Sequence, residues 1–414
     1  MTKVCGLLRQ LAALSLILLL GLAPVVASAQ VVVGPGVTAA VPQLRQVFTR
    51  SYVPSANYTG ATQIQSRTGH WARDNVATSQ LVFGNWWVKS GSGDTNNASS
   101  CTIRASVEFP VGTFTRVTFG GLTTGTIAAG TDIVSDPIAV AIPKNSKAYE
   151  WNLLTCSAGI IYTNFLTNEP NGDGGETGTA LTDKTGGGSS INAGTNFYFP
   201  EAWVGLTTNP AVQLWGDSLE KGQLDTFDDI TSDQGVVARS IGPYMGYTNM
   251  GTTGDTTAAA IASHAHRLAL SQYFSHIVSN YGGPNDQSIA PATVIANLVT
   301  LGSYFPGKTR FLVTLAPKST STDSWATLAN QTVSGSTFFP VMNKAIRAIP
   351  TNWDGYLDIA KSLESSPDSG LWAPPSANGG GALTSDGTHP VTIGNQRIRQ
   401  SGEISPDRFF QTLH

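Results

Sequence analysis

The chain has 414 residues, enough for two hydrophobic cores, and a net charge of −3. Charged residues make up 12% of it, against a usual value of about 25%, and Ser, Thr, Asn and Gly take their place. Such a balance gives no electrostatic reason to bind nucleic acid or anionic lipid, and it suits a secreted, β-rich protein.

In chain order, residues 1–29 read as a targeting segment. Lys3 and Arg9 form its positive end, and Leu11 to Leu22 is an apolar run shorter than the roughly 20 residues that span a bilayer. Ala27-Ser28-Ala29 is a small-residue cleavage site, which puts the mature start at Gln30. A retained membrane anchor is the alternative. No later run is apolar enough to cross a membrane, so the expected location is extracellular or periplasmic. Cys5 leaves with this segment. Cys101 and Cys156 remain, an even pair that predicts a disulfide in an oxidising compartment; two buried free thiols are the alternative.

Residues 30–209 read as an all-β domain. Leu81-Val82-Phe83, Trp86-Trp87-Val88, Ala105 to Phe109 and Thr113 to Phe119 are short β-branched and aromatic runs, punctuated by Gly, Asn, Ser and Pro. Many short strands predict a β-sandwich or jelly roll. Residues 172–194, rich in Gly, Thr and Ser, read as a long loop. Trp71, Trp86, Trp87 and His70 could stack on sugar rings or build the core. Neighbours on a strand face opposite sides, so at least one of Trp86 and Trp87 belongs to the core.

From residue 210 to 414 the pattern changes. Ala211 to Trp215 reads as a strand, Asp255 to Tyr273 as a helix, and Phe274 to Val278 and Arg310 to Leu315 as further strands. Phe338 to Ile349 reads as a helix, Gly355 to Ile359 as a strand and Val391 to Gly402 as a closing helix. Strands alternating with helices predict a parallel sheet covered on both faces, with sites beyond the carboxyl ends of its strands.

Four segments carry chemistry. Gly216-Asp217-Ser218-Leu219 follows the first of these strands, where a turn can expose the Ser218 hydroxyl. A serine needs a base to take its proton. His389 in Asp386-Gly387-Thr388-His389-Pro390 can act so, with the Asp386 carboxylate three residues earlier to fix its tautomer; the same five residues could equally be an ordinary turn. Gly254, in Gly251 to Thr256, can bring a backbone N–H close to a substrate oxygen, and Asn285 can offer a side-chain N–H to it. Plain loops are the alternative for both.

Taken together and in this order, the four segments resemble the blocks of the SGNH, or GDSL, hydrolases. The resemblance lies in Gly216 to Leu219 with Gly222, Thr253 to Thr256, Gly283 to Asp286, and Asp386 to His389. It covers about residues 211–400. It implies a three-layer α/β/α, flavodoxin-like catalytic domain, with Ser218 as nucleophile, His389 as general base and Asp386 as its orienter. It further implies an oxyanion hole made by the Ser218 N–H, the Gly254 N–H and the Asn285 side chain. Glu220 departs from the small polar residue many members carry there.

The expected activity is a secreted serine esterase that uses no cofactor and removes O-acetyl groups from polysaccharide. Lipase, arylesterase or thioesterase activity is the rival within the fold, and a non-catalytic glycan-binding surface protein is the rival outside it. His264 and His266, two apart on a helix, point in different directions and are not expected to bind metal. Asp225, Asp228, Asp229 and Asp233 do not fit an EF-hand and read as a solvated loop, with a Ca²⁺ site or a wall of the substrate cleft as alternatives.

Overall fold

The computed structural model describes residues 41–413, apart from 166–171, 188–189, 228–230, 232 and 335–336. The targeting segment, Cys5, the Gln30 start, Asp228 and Asp229 lie outside the described residues. Residues 42–414 form one compact unit.

The first half is built of antiparallel sheets. One has the order Gln43–Gln46, Ala202–Thr207, Ser79–Gly84, Asp132–Val134. A larger one has the order Gly125–Ile127, Cys101–Glu108, Lys147–Cys156, Gln63–Trp71, Gly174–Gly178. Leu81, Phe83 and Trp203 of the first sheet share one core with Ile64, Ile103, Val107 and Leu154 of the second. Cys101 and Cys156 are register partners on neighbouring strands and form a disulfide.

The 172–194 segment is not loop throughout, since Gly174–Gly178 is an edge strand paired with Gln63 to Arg67. Gly174 serves close packing: a Cβ there would stand 2.7 Å from the Ile191 carbonyl oxygen. Trp86 is buried and stacks on His266, whereas Trp87 is half-buried. His70 is buried, with its ring nitrogens against Thr68 Oγ1 and the Thr49 carbonyl.

The second half holds a parallel sheet. Its order is Ser51–Tyr52, Gly246–Asn249, Ala211–Trp215, His276–Ser279, Thr309–Val313, Gly355–Leu357, and every pairing is parallel. Leaving aside the first, these strands run in the flavodoxin-like order 2-1-3-4-5. Ala211–Trp215 is buried along its whole length, as an interior strand covered on both faces must be. On one face Trp215, Ile277 and Leu312 pack with Val294, Leu298 and Phe339 of the helices Pro291–Ser303 and Phe338–Arg347. On the other, Leu214, Val278 and Val313 pack with Ile241, Ile359 and Ile398.

Two further features differ from the sequence expectation. Ser51–Tyr52, from the β-rich half, is an edge strand of the parallel sheet, a two-residue pairing too short to leave a hydrophobic period. The helix expected over Asp255 to Tyr273 breaks into Thr257–Ala262, Ala265–Leu270 and a 3₁₀ turn, Ser271–Tyr273. The break follows from Asp94, whose Oδ2 accepts the His266 and Arg267 N–H groups at 2.8 and 3.0 Å and so caps the second helix from a distant strand. The Asp94 N–H in turn reaches the Ser263 carbonyl at 3.0 Å.

Candidate active site

Strand 1 of the parallel sheet lies between strands 2 and 3, so the crevice beyond its carboxyl end is the topological switch point. Ser218 stands there, as the first residue of the short helix Ser218–Lys221. Asp217 caps that helix through its Oδ1, which accepts the Leu219 N–H at 2.9 Å, and Gly222 closes it in the left-handed conformation at φ 82°. As the first helical residue, Ser218 has a backbone N–H with no partner inside the helix. Gly216 must be glycine: a Cβ there would run into the Asn280 side chain.

Ser218 Oγ lies 2.7 Å from His389 Nε2, although 171 positions separate them. His389 Nδ1 lies 2.7 Å from Asp386 Oδ2. The other carboxylate oxygen, Oδ1, accepts the backbone N–H groups of Thr388 and His389, both at 2.8 Å. Burial works to raise the Asp386 carboxyl, but the His389 ring and these N–H groups outweigh it and hold it below the usual carboxylate range. The side chain stays 39% exposed. Gly387, at φ 76°, closes the turn between them. Its carbonyl accepts the Ser319 N–H at 3.1 Å and the Trp372 indole N–H at 3.1 Å. Ser319 and Trp372 carry no sequence signal of this duty, because both lie far from Gly387 in the chain.

Gly254 and Asn285 come to the same crevice. Gly254 follows strand 2, at φ 78°, and a Cβ there would stand 2.5 Å from Ser90 Oγ, so a residue of the β-rich half overhangs it. Asn285 follows strand 3 in the turn Pro284–Asp286. Its Nδ2 donates to the Asp255 carbonyl at 2.9 Å and to Asp217 Oδ2 at 3.2 Å. Burial pushes the Asp217 carboxyl up to about 7, against the opposing pull of the Leu219 N–H and of His389. Glu220 is buried one turn further on and is likewise raised by burial, to about 8.

Beneath the Gly254 loop lies a buried ionic cluster that the motifs do not announce. Arg267 Nε donates to Asp94 Oδ1 at 2.6 Å and Nη1 to Asp255 Oδ2 at 3.3 Å, and the Tyr281 hydroxyl donates to Asp255 Oδ2 at 2.5 Å. The guanidinium lies over the Trp215 ring at 4.5 Å.

The described aspartates of the acidic segment, Asp225 and Asp233, are not solvated. Asp225 is buried, bound by Arg239 at 2.7 and 3.2 Å, and Asp233 is buried and accepts the Tyr247 hydroxyl at 2.6 Å. Both turn inward because a basic or hydroxyl partner lies within reach. His264 stacks on Tyr304 at 4.1 Å. Among the described residues no group of three or more His, Cys, Asp or Glu side chains could hold a metal ion. None of the described helices is long and apolar enough to cross a membrane.

Chemically, the arrangement can take a proton from a hydroxyl through an imidazole whose far nitrogen is held by a carboxylate. It also gathers backbone and amide N–H donors beyond the carboxyl ends of three neighbouring strands.

No protein-family model matches the chain, and no curated protein matches it. Solved structures do. A peptidoglycan O-acetylesterase is 10% identical over 92% of this chain and 80% of its own, with a TM-score of 0.36. A carbohydrate esterase family 2 enzyme with a carbohydrate-binding domain, from Corynascus thermopiles (Myceliophthora fergusii), is 13% identical over 89% of this chain and 98% of its own, with a TM-score of 0.34. A psychrotrophic esterase from Pseudoalteromonas sp. is 14% identical over 49% of this chain and all of its own (100%), with a TM-score of 0.33. At these identities and scores the likeness assigns neither activity nor substrate.

Proposed function

We propose that the chain is an exported serine esterase of the SGNH type. Ser218 Oγ attacks the ester carbonyl while His389 Nε2 takes its proton, and the same nitrogen returns that proton to the departing alcohol. Water, deprotonated by His389, then releases the acid from Ser218. Asp386 holds the ring in the tautomer this needs and stabilises the imidazolium. The observation that carries the reading is the unbroken hydrogen-bond path from Ser218 Oγ through His389 to Asp386, 2.7 Å at each step.

The negative oxygen that forms in each step would be met by the Ser218 N–H, the Gly254 N–H and the Asn285 amide. Both Asn285 contacts are already engaged, so this role exchanges the longer one, to Asp217, for the substrate oxygen. The substrate we favour is an O-acetyl group on polysaccharide. A cavity at the end of the Ser218 helix is lined mainly by hydroxyl and amide side chains, together with Lys221, Asp225 and Phe165, which suits a sugar better than a long acyl chain. Export is supported by the Lys3, Arg9 and Leu11 to Leu22 pattern and by the disulfide. In this division residues 30–209 are an accessory β-sandwich and 210–414 the catalytic part.

The test is turnover of p-nitrophenyl acetate. Ser218→Ala and His389→Ala should each lower kcat by about 10⁴-fold or more, with far-ultraviolet circular dichroism unchanged. Equal rates in wild type and Ser218→Ala would remove the reading and leave a non-catalytic glycan-binding protein.

A further inference from the structure

A cavity of about 280 Å³, just under the usual range for small-molecule sites, opens at Lys221, the last residue of the helix that Ser218 begins. It is walled by Lys221, Gln223, Thr252 and Thr253 on one side and by Ser55, Asn164 and Phe165 of the β-rich half on the other. Two links tie it to the site. Lys221 is three residues beyond Ser218 in the same helix, a spacing that makes side chains neighbours on one face. Thr252 donates its N–H to the Gly216 carbonyl at 3.1 Å, and Thr253 precedes Gly254.

Lys221 is the feature that needs a reason. Its ammonium donates to Ser55 Oγ at 3.1 Å and to Asn164 Oδ1 at 2.9 Å, both neutral acceptors. An ammonium has three hydrogens, and among the described residues no carboxylate pairs with this one. Burial alone pulls it down to about 8. Asp225 also lines the cavity, but Arg239 and the Gly235 N–H, at 3.1 Å, already satisfy its carboxylate. The remaining walls are hydroxyl and amide groups with one aromatic face. A half-buried cation with a spare donor, set among sugar-type hydrogen-bonding groups, fits an anionic sugar better than a neutral one.

We propose that this cavity is the subsite for the alcohol part of the ester, and that Lys221 selects a sugar ring bearing a carboxylate. The proposal rests on the esterase reading of Ser218. It makes the substrate an acetylated acidic glycan, in which the uronate-type carboxylate meets the Lys221 ammonium while the ester carbonyl lies at Ser218.

The experiment compares kcat/KM on O-acetylated methyl glucuronide and on O-acetylated methyl glucoside. Wild type should prefer the uronide. Lys221→Met should lower that preference by about ten-fold or more, the worth of one charge-assisted hydrogen bond, and Lys221→Arg should keep most of it. A preference unchanged in Lys221→Met would overturn the proposal. Binding of glucuronate to Ser218→Ala, followed by calorimetry, reads the same contact without turnover. If wild type hydrolyses neither ester yet Lys221→Met in the Ser218→Ala background weakens glucuronate binding, the esterase reading fails and the anion subsite stands. Equal binding in the two backgrounds overturns the subsite.

Discussion

In the parallel-sheet half, Ser218, Gly254 and Asn285 each follow the carboxyl end of a strand by a few residues, and His389 sits in a turn braced by Ser319 and Trp372. The antiparallel half supplies none of these groups. It supplies instead what constrains them: Ser90 overhangs Gly254, Asp94 neutralises Arg267 beneath the same loop, and Ser55 and Asn164 hold Lys221. The two halves also share a core, in which Trp86 and Val88 pack in one cluster with Trp215 and Leu270. The contrast teaches that the groups proposed to react can come from one half of a molecule while contacts that hold their surroundings come from the other. A domain boundary drawn by chemistry then need not be a boundary of stability.

The sharpest way to break that contrast is Asp94→Ala. It leaves the buried Arg267 guanidinium short of its main partner, and unfolding in urea should show a loss of about 3–5 kcal/mol, although Asp94 lies outside the parallel-sheet half. A loss below 1 kcal/mol would mean that the halves are energetically separate. Asn285→Ala comes next. Single-turnover kinetics should show the chemical step slowed by about 10²–10³-fold, with circular dichroism unchanged; unfolding would show a structural duty instead.

Gly254→Ala should be milder. The positive φ costs about 1–2 kcal/mol in itself, and the new methyl meets Ser90 Oγ. Ser90→Gly in the same protein should recover the second part but not the first, so a double-mutant cycle reads the contact between the halves directly. No coupling would detach Ser90 from the site.

Glu220 is raised by burial to about 8, so its contribution is fully present below its unfolded value of about 4.5 and is lost as pH rises through 8. Thermal midpoints of wild type should therefore fall between pH 5 and 8 more than those of Glu220→Gln. Parallel curves would show that this carboxyl titrates normally.

The residues that meet at the candidate site are marked in the sequence because each sits in a short local block. The strands at 211–215, 276–279, 309–313 and 355–357 were legible because buried parallel strands are nearly continuous apolar runs. What supports them was not. Asp94 to Arg267, Ser319 to Gly387 and Ser51 to Thr248 are contacts between distant positions, and no periodicity encodes them. The break in the helix expected over 255–273 is hidden for the same reason, since it depends on Asp94. Asp225 and Asp233 read as solvated because composition cannot show that Arg239 and Tyr247 fold over them.

The edge strand Ser51–Tyr52 has a bearing on biosynthesis. A ribosome delivers these two residues long before it makes Thr248 and Asn249, their partners. At about 5–20 residues added per second, the early segment must wait on the order of ten seconds or more for its place. Completion of this sheet therefore cannot begin at the amino end and run forward. The edge pairing has to await the middle of the polypeptide, and the sheet is complete only once Gly355–Leu357 has been made.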